Sequence, residues 1–254
     1  MRKLCLLALL CSPLAWADGQ LKVEANALLR LPASQASVTL ERLEIADHGT
    51  LLLPASLTEL RVGELLLGND ARIALAPSDQ GFHLQVARGQ INAGSHISAR
   101  GAPGTLEKPP TAGRNLSLRL EQVAVTDLSL DARGGRGAPG YPGLDGAGGE
   151  AAGCTWGQAS RGYDGQLGGD GSMGAPGARV RLEVPQDFDV ERIRVTVDGG
   201  AGGPGGRGGL AGPGGEGKGC LLYRAEGARA GRAGEAGQPG APGLAGSVEV
   251  VRVE

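Results

Sequence analysis

The stretch GGRGAPGYPGLDG, Gly134 to Gly146, decides how this chain is read, because glycine returns in it at every third residue. The run continues to Gly149, and three more follow: Gly162 to Gly177, Gly199 to Gly217, and Gly231 to Gly246. Proline fills many intervening places, as in Ala138-Pro139, Tyr141-Pro142, Ala175-Pro176, Gln238-Pro239 and Ala241-Pro242. A three-residue period with proline fixing φ at about −65° is that of polyproline II. Glycine at each third place leaves one edge of such a helix bare, so a second backbone can come close. Ala211 takes a glycine slot of the third run and is expected to disturb its packing locally.

Working outward, the part before these runs has a period of its own. Val38, Leu40, Leu43, Ile45, Leu51 and Leu53 reappear 22 residues later as Leu60, Val62, Leu65, Leu67, Ile73 and Leu75. The same step leads on to Phe82, Leu84 and Ile97, and backwards to Leu21, Val23, Leu29 and Leu31. Asn26, His48, Asp70 and Asn92 share one slot, and these residue types are enriched at left-handed corners. Within each repeat the apolar residues alternate, the mark of strands with one buried face. Three short strands per 22 residues are expected, stacked as the coils of a parallel β-solenoid. An antiparallel sandwich would not require an integer repeat shared by core and corner residues.

The spacing then changes but the strands persist. One coil is expected from Leu118 to Leu130, another from Leu182 to Val197, and a closing strand over Val248 to Val253. The glycine runs lie between these coils and start from similar exits, Asp131-Ala132-Arg133-Gly134 and Val197-Asp198-Gly199. The chain therefore divides into a leader (1–17), solenoid coils (18–133), a first glycine-triplet hairpin (134–177), a coil (178–198), a second hairpin (199–246) and a closing strand (247–254). The fold class is all-β, a parallel β-solenoid with protruding polyproline II hairpins.

Each hairpin has a tip without the triplet rule: Glu150 to Arg161, holding Cys154, and Lys218 to Ala230, holding Cys220. Both cysteines follow a glycine at equivalent places, so a disulfide is expected if the hairpins lie side by side. Unpaired or intermolecularly paired thiols are the alternative. Trp156 and Tyr223 lie just beyond them, flanked by Arg161, Lys218, Arg224 and Arg229. Trp156, Tyr223, Arg161 and Arg224 are candidate ligand contacts, since an aromatic at a rigid tip offers apolar area with little entropy to lose. The competing reading is that the two aromatics only cover the disulfide.

The runs resemble collagen-like Gly-x-y proteins. Their folding back on one another is similar to the polyproline II bundles of the snow-flea antifreeze protein and of phage tail-fibre adhesins, over roughly residues 134–246. The coils resemble parallel β-helix proteins in general. The resemblance implies a rigid extracellular bundle used for structure or attachment. Ice binding would want a flat face of small or Thr residues, whereas the x and y places here carry Arg, Asp, Glu, Tyr and Leu. Two alternatives stand beside this reading: a trimeric collagen-like stalk, and a carbohydrate-active β-helix enzyme using Asp127, Asp131, Asp189 and Asp198.

The remaining features bound the function. Arg2-Lys3, the apolar run Leu4 to Leu14 and Ala15-Trp16-Ala17 read as a secretory signal peptide, and Leu10 before Cys11 disfavours lipid attachment there. The protein is expected to be exported to the periplasm, cell surface or extracellular space. With 25 basic against 27 acidic residues it lacks the positive surface that nucleic acid requires. No later stretch is apolar enough for a membrane span. The three histidines fall at different slots, and no metal, nucleotide or nucleophile motif is present, so neither catalysis nor a cofactor is expected. A cell-surface, matrix or glycan ligand, bound by a monomer, is the expected partnership. Asn115-Leu116-Ser117 fits an N-glycosylation acceptor.

Overall fold

The computed structural model describes residues 19–253, so the signal-peptide reading lies outside the described residues. Long strands β1 (Gln20–Val23), β3 (Ser37–Ile45), β5 (Glu59–Leu67), β7 (Phe82–Ile91), β9 (Leu116–Val125), β11 (Arg179–Pro185) and β15 (Ser247–Val253) form one parallel sheet in that order. Short strands β2 (Leu28–Arg30), β4 (Thr50–Leu53), β6 (Arg72–Leu75), β8 (Ser95–Ser98), β10 (Leu128–Asp131) and β12 (Ile193–Thr196) form a second parallel sheet. The chain visits the two sheets alternately, and their inward side chains make one core. β13 (Lys218–Gly219) and β14 (Arg224–Ala225) form a small antiparallel pair at the second tip.

Each repeat therefore holds two strands, not the three expected. The motif V-x-L-x-x-L-x-I is one bent strand. In β3 the residues Val38 and Leu40, then Leu43 and Ile45, point inward, while Glu41 and Arg42 break the alternation. The β3–β5 ladder skips this bend: Leu40 pairs with Val62 and the next pair is Arg42 with Glu64. A bent strand keeps the buried columns that three straight ones would supply, so the apolar pattern alone does not separate the cases.

The register also departs from a constant 22. It holds from Val38 to Leu60 and from Leu51 to Ile73. At the next step Leu60 faces Leu84, Val62 faces Val86, and Ile73 faces Ile97, two residues further on than the expected frame. The corner confirms the shift: Asn26, His48 and Asp70 have φ of 59°, 58° and 54°, but the fourth corner is Gly94, at 71°, and not Asn92. The extra residues enlarge the loop Ala76–Gly81, and Arg114 fills the space behind it. Its side chain is 1 % exposed, stacks over Phe82, and donates to the carbonyl oxygens of Gln80, Ala76, Ala55 and Leu57. Those bonds satisfy carbonyls of two successive corners that no strand can reach.

The four glycine runs fold back on one another beside this base. Run 1 (134–149) is parallel to run 3 (199–217): Gly137, Gly140 and Gly143 donate to Ala201, Pro204 and Arg207 at 2.7–2.9 Å. Run 2 (162–177) is parallel to run 4 (231–246): Gly165, Gly168 and Gly171 donate to Arg232, Glu235 and Gln238, each at 2.8 Å. Antiparallel ladders join run 2 to runs 1 and 3, and run 3 to run 4. Every ladder advances three residues per bond, the period of polyproline II. The short insertion 101–113 adds to the root, with Gly101 and Gly104 donating to Arg133 and Arg136 at 2.9 and 2.7 Å.

Runs 2 and 3 each touch all three others, but run 3 alone brings a bare edge against two of them, and its sequence carries the mark of it. Besides Gly199, Gly202, Gly205 and Gly208 it has a second column, Gly200, Gly203, Gly206, Gly209, Gly212 and Gly215. A Cβ on the first column would overlap carbonyls of run 4, and on the second column carbonyls of run 1. Ala211 does not interrupt the ladders: Gly212 still donates to Tyr163 at 2.9 Å and Gly231 to Gly212 at 2.8 Å.

Two outcomes test this packing. Gly206→Ala, which places a methyl against Tyr141 O, is expected to destabilise the bundle by about 1–3 kcal/mol or more, while Leu210→Ala at an outward place changes little. Arg114→Met is expected to cost about 3 kcal/mol in thermal unfolding, because it strands several buried carbonyls.

Candidate functional site

The bundle has a root, where it leaves the sheets, and a tip. At the root Asp131 is 6 % exposed and receives the Arg133 guanidinium at 2.9 and 2.7 Å, with Arg100 3.6 Å away. Burial works to raise the Asp131 carboxyl. Hydrogen bonds from the Arg133 side chain and backbone, with the charges of Arg133 and Arg100, outweigh it and hold the group below the usual carboxylate range. Burial lowers the nearby His96, against a smaller opposing pull from Asp131. The root is thus a compensated ion cluster that fixes the exit Asp131–Arg133.

Of the four aspartates considered for catalysis, Asp131 and Asp198 both act on Arg133 at the root, and Asp127 and Asp189 lie in turns. Asp131 is occupied as described. Asp189 caps the single turn Val190–Arg192, accepting from Glu191 N at 3.2 Å and Arg192 Nε at 3.1 Å. Asp198 lies at the start of run 3, where its carbonyl accepts from Gly134 at 3.0 Å. Asp127 sits in the turn between β9 and β10. Other aspartates serve the bundle: Asp145, Asp164 and Asp170 accept from the backbone N–H of Leu210, Arg232 and Gln238 at 2.6–2.7 Å. These N–H groups lie between ladder positions, so each carboxylate supplies the acceptor that the three-residue period leaves out. Among the described residues no group of three or more His, Cys, Asp or Glu side chains could hold a metal ion.

At the tip Cys154 and Cys220 are joined by a disulfide, with Cα atoms 5.6 Å apart and 66 residues of separation. Gly157, with φ of 92°, turns the first tip, and Gly153 donates across it to Gly157 O at 3.1 Å. The second tip turns over Cys220 to Tyr223, where Cys220 N donates to Tyr223 O at 2.8 Å. The Tyr223 hydroxyl donates to Cys154 O at 2.6 Å, so one of the two aromatics does brace the disulfide. Trp156 does not cover it in the same way; it is 90 % exposed. Arg161 turns to Asp164 at 2.6 Å, whereas Arg224 is exposed on β14 and forms no ion pair among the described residues.

Two tip residues were not singled out from the sequence. Leu221 and Leu222 are fully exposed, at 102 % and 92 %. Their signal was an adjacent apolar pair beside Cys220 in a segment otherwise small or polar. With Trp156 they place three large apolar side chains in water at the end of the bundle. Between Trp156, Gln158, Tyr223 and Glu226 lies an open depression of about 550 Å³. A larger open cleft of about 850 Å³ lies against the long sheet, lined among others by Arg119, Glu121, Asp187, Phe188 and Arg192.

No family model, curated protein or solved structure matches this chain. Nor does any helix among the described residues have the length and apolar character to cross a membrane.

Opening the disulfide is expected to fray the tip first. In the Cys154→Ser/Cys220→Ser variant, trypsin cuts at Lys218, Arg224 and Arg229 much faster than in the oxidised protein, and stability falls by up to about 4 kcal/mol. Because Asp131 is held below its unfolded value, its contribution is complete above the ordinary Asp range and is lost as pH falls through the folded value. Asp131→Asn should therefore flatten the acid side of the melting-temperature profile below about pH 4 and leave its neutral side parallel to wild type.

Proposed function

We propose that this is an exported, non-enzymatic structural or adhesive protein: a parallel β-solenoid base holding a collagen-like polyproline II bundle outward, with the bundle tip as its contact surface. The observation that carries this reading is the placement of Trp156, Leu221 and Leu222, almost wholly exposed, on a tip tied by Cys154–Cys220 and braced by Tyr223. Isolated apolar side chains on a surface need no explanation, but three together on an immobilised end do. Aromatic and leucine side chains held rigidly bind at low entropic cost, and Arg224 and Lys218 supply charge at the rim.

The intrachain ladders support a bundle over a trimeric stalk, since the glycine columns are already filled by carbonyls of the same chain. The engagement of Asp131 by Arg133 and of Asp189 as the cap of its own turn supports binding over carbohydrate cleavage. The partner is a cell-surface, matrix or glycan ligand, and the disulfide fits an oxidising, exported setting.

The test compares the mature protein with Trp156→Ala/Leu221→Ala/Leu222→Ala on glycan arrays and on matrix- and cell-coated surfaces. The triple variant is expected to keep the wild-type melting temperature and lose at least about tenfold in retention, the scale of one or two lost anchor residues. Equal retention by both proteins would rule out the tip as the contact.

A further inference from the structure

The two ends of the stacked sheets have matching relief. In the long sheet, the first half of the bent strand runs from β3 to β15, because β1 covers Arg42–Ile45 of β3 and, among the described residues, nothing pairs with the outer edge of Ser37–Leu40. At this end β1 and β2 stand one strand ahead of that half, so it is recessed. At the other end the relief is reversed. β15 pairs along the whole of β11, while the short sheet stops one coil earlier at β12. The first half therefore projects by one strand where the opposite end is recessed by one. The second half of the bent strand ends at β9; the turn Gln186–Arg192 borders the open cleft beside it, with Phe188 and Val190 packed against the core.

The projecting strand is built as a core strand without its cover. Val248 and Val250 continue the inward columns of Val180 and Leu182, which are 1 % and 2 % exposed, yet they are 44 % and 45 % exposed themselves. At the opposite end Leu21, Ala27 and Leu29, which would meet β12 and the turn, are only partly covered, whereas Val38 and Leu40 on the floor of the recess are 9 % and 2 % exposed, so the recess offers β15 backbone pairing more than apolar burial. An unpaired, apolar edge strand is a template for another strand, and natural sheets usually blunt it with charge, proline or a cap. Arg252, the one inward charge on β15, is turned back onto the carbonyls of Pro185, Gln186 and Phe188 and leaves the edge free.

We propose that this protein assembles head to tail with copies of itself, β15 of one copy entering the recess beside Ser37–Leu40 of the next. Direct stacking of all three edges sets β15 against β3, β12 against β2, and the turn Gln186–Arg192 against β1, all strands running parallel. Continuing the register brings Val250 over Val38 and Glu249 beside Ser37. The chain already uses that second pairing one layer in, where Ser37 Oγ donates to Glu59 at 3.0 Å. The bundles do not obstruct the stack. They leave from the corner of the last coils, and the same corner in the first coil is the short loop Pro32–Ala36. A contact of this kind does not close on itself and yields filaments, with bundles repeating every six strands, or roughly 29 Å at about 4.8 Å per strand. Assembly would replace the monomer expected from the sequence and would array the tips, whatever ligand they bind.

The experiment is sedimentation velocity on the mature, oxidised protein from micromolar to near-millimolar concentration. Wild type is expected to rise with concentration to at least twice the monomer mass. Val250→Lys at one end and Leu21→Lys at the other, both at partly exposed positions, should each remain monomeric with a wild-type circular dichroism spectrum. Mixed in equal amounts they should form a dimer and nothing larger, since each retains one competent end. A wild type that stays monomeric throughout, or variants that assemble like it, or a mixture that fails to dimerise, overturns the proposal. Tip binding is read separately, on monomeric Val250→Lys, so loss of assembly and loss of ligand contact cannot be confused.

Discussion

Close approach of extended backbones is the constraint on which the rest of this structure depends. The glycine-triplet runs bond to one another and not within themselves, so each buried N–H must find a carbonyl on a neighbour. The ladders from Gly137 to Ala201 and from Gly206 to Gly169 do this at 2.8 and 2.9 Å, distances that admit no side chain between the chains. Glycine pays for that geometry with the largest loss of backbone freedom of any residue. The chain offsets the loss in two ways visible at named positions. Proline at the outward places Pro139, Pro142, Pro204 and Pro213 restricts the unfolded ensemble. Anchoring both ends does the same: the root is fixed by Asp131–Arg133 and by strands, the tip by Cys154–Cys220.

Anchoring explains why bundle and sheets occur in one chain. Strands advance with a side-chain period of two and triplets with a period of three, so neither can template the other along its length. They meet only at the exits. There Gly101, Gly134 and Gly246 bond to the carbonyls of Arg133, Asp198 and Val197 at 2.7–3.0 Å. The parallel sheets set successive exits one strand spacing apart, and the ladders of the bundle begin from that spacing. The sheets thus act as a ruler for the glycine runs, while the core of Leu, Ile and Val supplies the apolar burial that the runs lack. Each wholly buried aliphatic side chain contributes about 1.5–3 kcal/mol, and the bundle has few of them.

Much of this was legible in the sequence because two strict periods were present. The 22-residue repeat placed the columns from Val38 to Leu60 and from Leu51 to Ile73, and the triplets located both hairpins and their cysteine tips. What was missed follows from physics that a period does not record. A bent strand and two straight strands bury the same alternating residues, so β3 read as two. The two extra residues before Phe82 were hidden because Phe82 and Leu84 are apolar in either frame; only the corner at Gly94 distinguishes them. Nothing in the sequence singles out Arg114, since its burial depends on carbonyls from Ala55 to Gln80 that come together only after folding. The second glycine column of run 3 was written in the sequence, but its meaning requires knowing that run 1 packs against a second edge of this run.

The same reasoning separates the surfaces that are finished from those that are not. In the bundle, Asp145, Asp164 and Asp170 meet N–H groups that the ladders leave over, and at the root Arg133 and Arg100 compensate Asp131. Against that completeness, two places stand out as unsatisfied in the same sense: the apolar tip and the edge of β15. Neither is a consequence of folding constraints. Leu221 and Leu222 could be polar without loss to the turn they occupy, and Val248 and Val250 could be charged, as edge strands commonly are. Large apolar side chains also stand in water along the bundle, as at Leu144, Leu167 and Leu210; what sets the tip and β15 apart is that they lie at the ends of the molecule, where contact with something outside it forms.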